Sequence, residues 1–127
     1  MNKILILLLS FATLISCSSD VKNNTGEINI RLSNASPFDF KDITVNTSTG
    51  NVKFEDVNSG EFTNYKTFDI AYRYAFIELD INGNTYTLQP LDYVGETPLK
   101  DGFYTYKINA NESQEQYERL TLSLIED

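Results

Sequence analysis

Alternation of apolar and polar side chains within residues 71–94 constrains the fold more than any other feature of this sequence. The segment reads AYRYAFIELDINGNTYTLQPLDYV. Apolar side chains recur at every second position, namely Ala75, Ile77, Leu79 and Ile81. Charged side chains lie between them at Glu78 and Asp80. A period of two is typical of a strand with one buried face, so this segment predicts a half-buried strand.

The dipeptide Asn82-Gly83 predicts a two-residue turn that folds the segment into a hairpin. The expected cross-strand pairs are Leu79 with Tyr86, Ile77 with Leu88, and Glu78 with Thr87. Apolar side chains then meet apolar ones, and polar meet polar. Moving the turn by one position, to Gly83-Asn84, preserves the two faces, whereas a slip of one residue in the pairing would mix them.

Further short segments with strand character follow one another from residue 27 onward, separated by turn residues. We expect strands at Glu27–Ser33, Phe40–Thr47, Val52–Val57, Phe62–Ile70, Phe103–Ala110 and from Leu120 to the last residues. Inward side chains are expected at Ile28, Ile30, Leu32, Ile43, Val45, Tyr104, Tyr106, Ile108, Leu120, Leu122 and Leu124. In the fourth segment, Phe62, Asn64, Lys66 and Phe68 are expected on one side. Arg119 alternates with the leucines of the last strand. No helical period of useful length occurs, and residues 111–119 allow one helical turn at most.

About seven or eight strands with regularly spaced turns predict an antiparallel β-sandwich over residues 27–127. Leu99–Tyr106, LKDGFYTY, resembles the tyrosine corner of immunoglobulin-like domains, and this resemblance implies an immunoglobulin-like sandwich. The cysteine pair and the tryptophan of that family are absent. Gly60–Thr63, GEFT, is similar to the strands of transthyretin-like sandwiches, so that topology stays open as an alternative.

Residues 1–16 have the features of a secretory signal peptide, which would form a helix before it is cleaved. Lys3 supplies a positive charge, and an apolar run too short to span a bilayer comfortably follows at 4–15. Leu14-Ile15-Ser16-Cys17 resembles the lipobox of bacterial lipoproteins. The resemblance implies cleavage before Cys17, acylation of its thiol with palmitate-type chains, and anchoring to the membrane. Residues 17–26 are then a flexible polar tether.

Two further resemblances concern location. Ser18, following the cysteine, favours the outer membrane by similarity to the sorting rule of enteric bacteria. The stretch 18–20, Ser-Ser-Asp, is similar to the export tags of surface-displayed lipoproteins in the Bacteroidota. The leaflet that displays the domain, periplasmic or at the cell surface, stays open.

Charge and composition exclude several classes of function. The net charge is −8, and loss of Lys3 with the signal peptide takes it to −9. Such a chain repels phosphate backbones, so we expect no nucleic-acid partner. The chain contains no histidine, which removes Ser-His-Asp and Cys-His catalysis and most zinc sites. We therefore expect no cofactor, no metal and no enzymatic activity.

Acidic residues offer two weaker alternatives. The stretch 80–84, Asp-Ile-Asn-Gly-Asn, could be a calcium loop, but an EF-hand places glycine sixth and glutamate twelfth, whereas Gly83 is fourth and Leu91 twelfth. A hairpin turn explains the same residues. Asp92 and Glu96, with Asp101 nearby, could serve a hydrolase that uses carboxylates. The simpler interpretation is that these carboxylates are ordinary loop residues of an acidic protein.

Three aromatic side chains, Tyr72, Tyr74 and Phe76, are expected on the face of the hairpin strand opposite the aliphatic one. Either the 91–99 loop covers them, or they form a recognition surface, since tyrosine anchors protein interfaces and stacks on sugars. We predict a non-enzymatic envelope lipoprotein that binds another envelope protein or assists its assembly. A carbohydrate-binding module that uses these aromatics is the alternative, and a carboxylate hydrolase ranks last.

Overall fold

The computed structural model describes residues 26–48, 50–90 and 95–127, and these residues form an all-β fold of eight strands. In chain order the strands are β1 (Ile28–Asn34), β2 (Lys41–Asn46), β3 (Val52–Phe54), β4 (Lys66–Phe68), β5 (Phe76–Ile81), β6 (Asn84–Leu88), β7 (Gly102–Ala110) and β8 (Leu120–Glu126). The first sheet has the order β4-β1-β7-β8 and the second β3-β2-β5-β6. The predicted β-sandwich is confirmed.

Strand pairing is antiparallel except between β1 and β7, which run parallel. All of β2 to β6 lies between these two strands in the chain, as a parallel pair requires a long connection. Four strands in each sheet differ from the four and three of a constant-type immunoglobulin domain.

The hairpin β5–β6 has the register predicted from its alternation. Leu79 pairs with Tyr86, Ile77 with Leu88, and Glu78 with Thr87. The turn residues Asn82 and Gly83 have φ of 51° and 84°, which is the conformation required by a type I′ hairpin turn. Alternation and turn chemistry together therefore determine this element.

The core lies between the two sheets and is lined by alternate positions of both. Its fully buried side chains include Ile30, Leu32, Ile43, Val45, Ile77, Leu79, Tyr106 and Ile108. Each buried aliphatic side chain contributes about 1.5–3 kcal/mol relative to exposure. The inward sets predicted for β1, β2, β5 and β7 are thus confirmed.

The tyrosine corner is present at the start of β7. The Tyr104 hydroxyl donates a hydrogen bond to the carbonyl oxygen of Lys100 at 2.7 Å, four residues upstream. Burial raises the pKa of Tyr104, and the charge of Glu126 adds to this effect. The bond fixes the turn at 100–102 against the sheet.

Three local predictions differ from the structure. The expected strand Phe62–Ile70 is reduced to β4, because Thr63 Oγ1 accepts the Leu32 amide and donates to the Asn64 carbonyl, interrupting the alternation. Phe62 therefore lies on the outer face of the first sheet, against Arg31, and not on the side of the buried Phe68. The hairpin strand begins at Phe76, so Tyr72 and Tyr74 precede it. Arg119 precedes β8 and is buried.

The predicted signal peptide at 1–16, the predicted acylation site Cys17, the predicted tether up to residue 25 and the loop residues 91–94 lie outside the described residues. Within the part of the chain that the structure describes, no helix has the length and apolar character needed to cross a bilayer.

Candidate functional site

Exposed aromatic and aliphatic side chains gather around Arg31 on the outer face of the first sheet. Phe62 is 54% exposed, Tyr65 37%, Phe103 43% and Ile125 41%. We refer to these four residues and Arg31 as the Arg31 face.

Strand geometry explains why these residues meet. Ile30 and Leu32 point into the core, so Arg31 between them points outward. The register places Thr105 of β7 beside Arg31, and Ile125 of β8 on the other side of Thr105. Strands distant in the chain thereby form one continuous surface.

The Arg31 guanidinium lies over two aromatic rings. Its Cζ atom is 4.2 Å from the centroid of the Phe62 ring and 5.0 Å from that of Tyr65. The Tyr65 ring meets Phe103 edge-to-face, with centroids 5.1 Å apart. Cation–π contacts at exposed sites contribute about 0.5–1 kcal/mol each, and aromatic pairs contribute a similar amount. The rings are therefore held in one arrangement.

A polar network lies under the rings. Arg31 Nε donates to Thr105 Oγ1 at 3.0 Å, and Thr105 Oγ1 donates to Asp127 Oδ2 at 2.7 Å. The Tyr65 hydroxyl donates to the same carboxylate at 2.7 Å. Burial, together with the hydrogen bond to Asp127, raises the pKa of Tyr65. The carboxylate thus fixes both the cation and the phenol.

The two outer faces of the sandwich carry different charges. Among the side chains that point outward from the strands of the first sheet, the charged ones are Arg31 and Lys107. The outer face of the second sheet carries the carboxylates Glu78 and Asp80 on β5 together with Lys41 and Lys53 on β2 and β3. Asp127, just beyond β8, adds a carboxylate that pairs with Arg31, so the Arg31 face is an apolar region built around an internal ion pair.

The predicted recognition residues lie elsewhere, at the start of β5. Tyr74 is 46% exposed, whereas Tyr72 and Phe76 are half-buried. Thr47 Oγ1 accepts the Tyr72 amide at 2.9 Å and donates to the Tyr74 carbonyl at 2.8 Å, so the backbone here is fixed. The Leu99 amide donates to the Ala71 carbonyl, which brings the end of the 95–99 loop to this segment. A recognition role for the three aromatics stays a prediction.

A second arginine, Arg119, lies buried where the two sheets meet and is 4% exposed. Its Cζ atom is 4.5 Å from the Phe38 ring centroid and 4.7 Å from that of Tyr86. Nη1 donates to the Tyr86 hydroxyl at 3.0 Å and to the Ser113 carbonyl at 3.1 Å, while Nε has no hydrogen-bond partner among the described residues. Arg119 thus holds the 111–118 loop against β6.

Groups that could carry acid–base or metal chemistry are dispersed. Asp80 accepts a hydrogen bond from Thr85, within the hairpin, and lines an open cavity of about 210 Å³ with Asp39 and Lys41. Across residues 26–48, 50–90 and 95–127, no three metal-ligating side chains come together. Asp92, one of the predicted carboxylates, lies outside the described residues, and Asp101 is exposed.

Sequence reasoning missed the Arg31 face, although part of its signal was present. An inward Tyr104 implies an outward Phe103, and inward Ile30 and Leu32 imply an outward Arg31. No local pattern in the sequence indicates that Phe62 and Tyr65 both lie on the outer face of the first sheet. Their placement there follows from the interruption of the alternation at Thr63.

No protein-family model and no curated protein matches this chain. Among solved structures, the chain is similar to the NMR structure of a protein from Eubacterium rectale, with a TM-score of 0.51 and 15% identity. The match covers 84% of this chain and 94% of the other. At this identity the similarity shows the fold alone.

Proposed function

We propose that this chain is a lipid-anchored protein of the bacterial outer membrane that acts by binding and not by catalysis, as an accessory to another envelope protein. The observation that carries the proposal is the position of its exposed aromatic side chains. Those of the Arg31 face and Tyr74 lie on open surfaces of the sandwich, where a macromolecule can reach them.

The composition of these surfaces is that of contact sites. Aromatic and arginine side chains are enriched where proteins bind one another, and a few such anchors supply most of the binding energy. Rings that are already fixed, as Tyr65 is by Asp127 and Phe103, lose little side-chain entropy on binding.

Membrane attachment rests on the lipobox-like Leu14-Ile15-Ser16-Cys17. One buried acyl chain holds a protein only marginally, whereas the two or three of a lipoprotein give stable retention. Labelled palmitate should enter the wild-type protein in cells and not the Cys17→Ser variant. Equal labelling of both would contradict the anchor.

The binding role is tested by photo-cross-linking in intact cells. A photoreactive amino acid replaces Phe103 or Tyr74, and Asn51, an exposed turn residue, serves as the control position. We expect a discrete adduct with one envelope protein from at least one aromatic position and none from the control. Equal diffuse labelling at all three positions would contradict a specific protein partner.

A carbohydrate-binding role is the second candidate, and the exposure of Tyr74 beside Tyr72 favours it, because tyrosine rings stack on sugars. On a glycan array, the wild-type protein should then bind a defined set of glycans, and Tyr74→Ala should lose them. An array with no signal, or an unchanged Tyr74→Ala pattern, would remove this candidate.

A further inference from the structure

The Arg31 face lies beside the point at which the chain enters the sandwich. β1 begins at Ile28, which pairs with Gly102, and the next residue, Asn29, pairs with Phe103. The side chain of Phe103 is therefore one strand spacing from the beginning of β1, about 5 Å away. The described chain therefore enters the sandwich beside this face.

The segment between Cys17 and β1 is short. Residues 18–27 number ten, and ten residues span at most about 35 Å when fully extended. A domain joined to a surface by such a segment experiences that surface at an effective concentration of about millimolar. Weak affinity of one face for lipid then suffices to orient the domain.

The chemistry of the Arg31 face fits the interfacial region of a bilayer. Aromatic and aliphatic side chains enter the boundary between headgroups and acyl chains, and the arginine head stays among phosphates. Outward carboxylates are absent from the strands β4, β1, β7 and β8, whereas Glu78 and Asp80 occupy the outer face of the second sheet. The Asp127 carboxylate also lies at the first face, but its side chain is 20% exposed and is already held by Arg31, Thr105 and Tyr65, so it comes to the lipid paired.

We propose that the Arg31 face rests on the lipid surface of the membrane that holds Cys17, so that the second sheet and Tyr74 face away from it toward the protein partner. This inference depends on the proposed lipid anchor. The composition of the face would also suit a protein interface. Its position beside the entry of the chain favours the bilayer, because an anchored domain always has lipid within reach.

The chain contains no tryptophan, so one introduced tryptophan reports on one site. Phe103→Trp reports on the Arg31 face, and Tyr74→Trp is the matched control because the two residues have similar exposures of 43% and 46%. The acylated full-length variants are reconstituted into phosphatidylcholine vesicles with brominated acyl chains, which quench fluorescence on contact. We expect quenching of Phe103→Trp to exceed that of Tyr74→Trp by about threefold or more.

The outcomes separate the anchor from the orientation. A protein that does not float with the vesicles contradicts the lipid anchor of the proposed function. A protein that floats, with both tryptophans unquenched or with Tyr74→Trp quenched more strongly, overturns the inference and leaves the anchor intact. Unquenched Phe103→Trp that also cross-links to an envelope protein would assign the face to that protein.

A second pair of variants tests the face without changing the core. In the Phe103→Trp protein, Ile125→Asp places a carboxylate within the face, whereas Thr121→Asp places one on the same strand and the same side, about 13 Å away. We expect Ile125→Asp to reduce quenching to the level of Tyr74→Trp and Thr121→Asp to retain most of it. Equal loss in both variants would mean that net charge, and not the Arg31 face, governs the contact.

Discussion

Arg31 and Arg119 each lie against two aromatic rings, but their surroundings are opposite. Arg31 is partly exposed and has the Asp127 carboxylate 3.7 Å from its Nε atom. Arg119 is buried, and its hydrogen-bond partners in the described part of the chain are neutral, the Tyr86 hydroxyl and the Ser113 carbonyl. An arginine stacked on two aromatic rings therefore occupies a surface site at position 31 and an interior site at position 119.

The difference shows what each arginine contributes. A buried cation without a carboxylate loses hydration, and the ring faces and two hydrogen bonds offset that loss only in part. Such a residue is useful where its flat shape fills a slot, as Arg119 does between Phe38 and Tyr86. Arg31 fills no interior space, so its stacking on Phe62 and Tyr65 organises a surface. We infer that Arg119 serves stability and Arg31 serves contact.

The largest expected effect follows from removing the buried arginine. Arg119→Ala should destabilise the protein by about 2–4 kcal/mol in urea unfolding, because it leaves a cavity between two rings and releases the 111–118 loop. Arg119→Met should lose less, about 1–2 kcal/mol, because methionine fills the slot without a buried charge. If the two variants were equally unstable, the charge and hydrogen bonds of Arg119 would matter more than its shape.

The exposed arginine should behave differently under the same measurement. Arg31→Ala should cost about 1 kcal/mol or less, since exposed ion pairs and cation–π contacts are weak individually. The midpoint in urea should shift little, and the fold should remain. A loss as large as that of Arg119→Ala would break the comparison, because the Arg31 face would then be needed for folding.

The contrast between these sites also marks what the sequence could predict. The hairpin register followed from alternation and from Asn82-Gly83, which are local features, and the tyrosine corner was indicated by the resemblance of Leu99–Tyr106 to immunoglobulin-like domains. Arg119 looked like an outward strand residue because it alternates with Leu120 and Leu122. Its true environment depends on Phe38, which is remote in the chain, and no local pattern contains that contact.

The Arg31 face was beyond sequence reasoning for a related reason. Its residues come from β1, β7, β8 and the segment before β4, and their proximity depends on the parallel pairing of β1 with β7. Alternation assigns a side chain to a face of its own strand but does not say which strands are neighbours. Alternation can group only residues of a single segment. It therefore placed the predicted recognition surface at Tyr72, Tyr74 and Phe76, which lie within one short segment.

The smallest expected effect concerns the phenol that joins the exposed arginine to its carboxylate. The pKa of Tyr65 is raised above its usual value near 10 by burial and by Asp127. The folded state therefore retains this proton more strongly than the unfolded chain. The corresponding stability is fully present below pH 10 and is lost as pH rises through the folded pKa.

Tyr65→Phe should therefore cost about 0.5 kcal/mol at pH 7, where only an exposed hydrogen bond is lost, and should unfold with a shallower pH dependence above pH 10. Urea midpoints measured from pH 8 to 11 test this. The pKa of Tyr104 is also raised, so both proteins should still lose stability as pH rises above 10. The urea midpoints of the wild type and of Tyr65→Phe should therefore converge with rising pH, and neither should become independent of pH. Parallel curves would mean that the Asp127 carboxylate holds Arg31 without the help of the phenol. The side chains of the Arg31 face would then be held less firmly than their contacts indicate. The Arg31–Asp127 pair would contribute no more than an ordinary exposed ion pair.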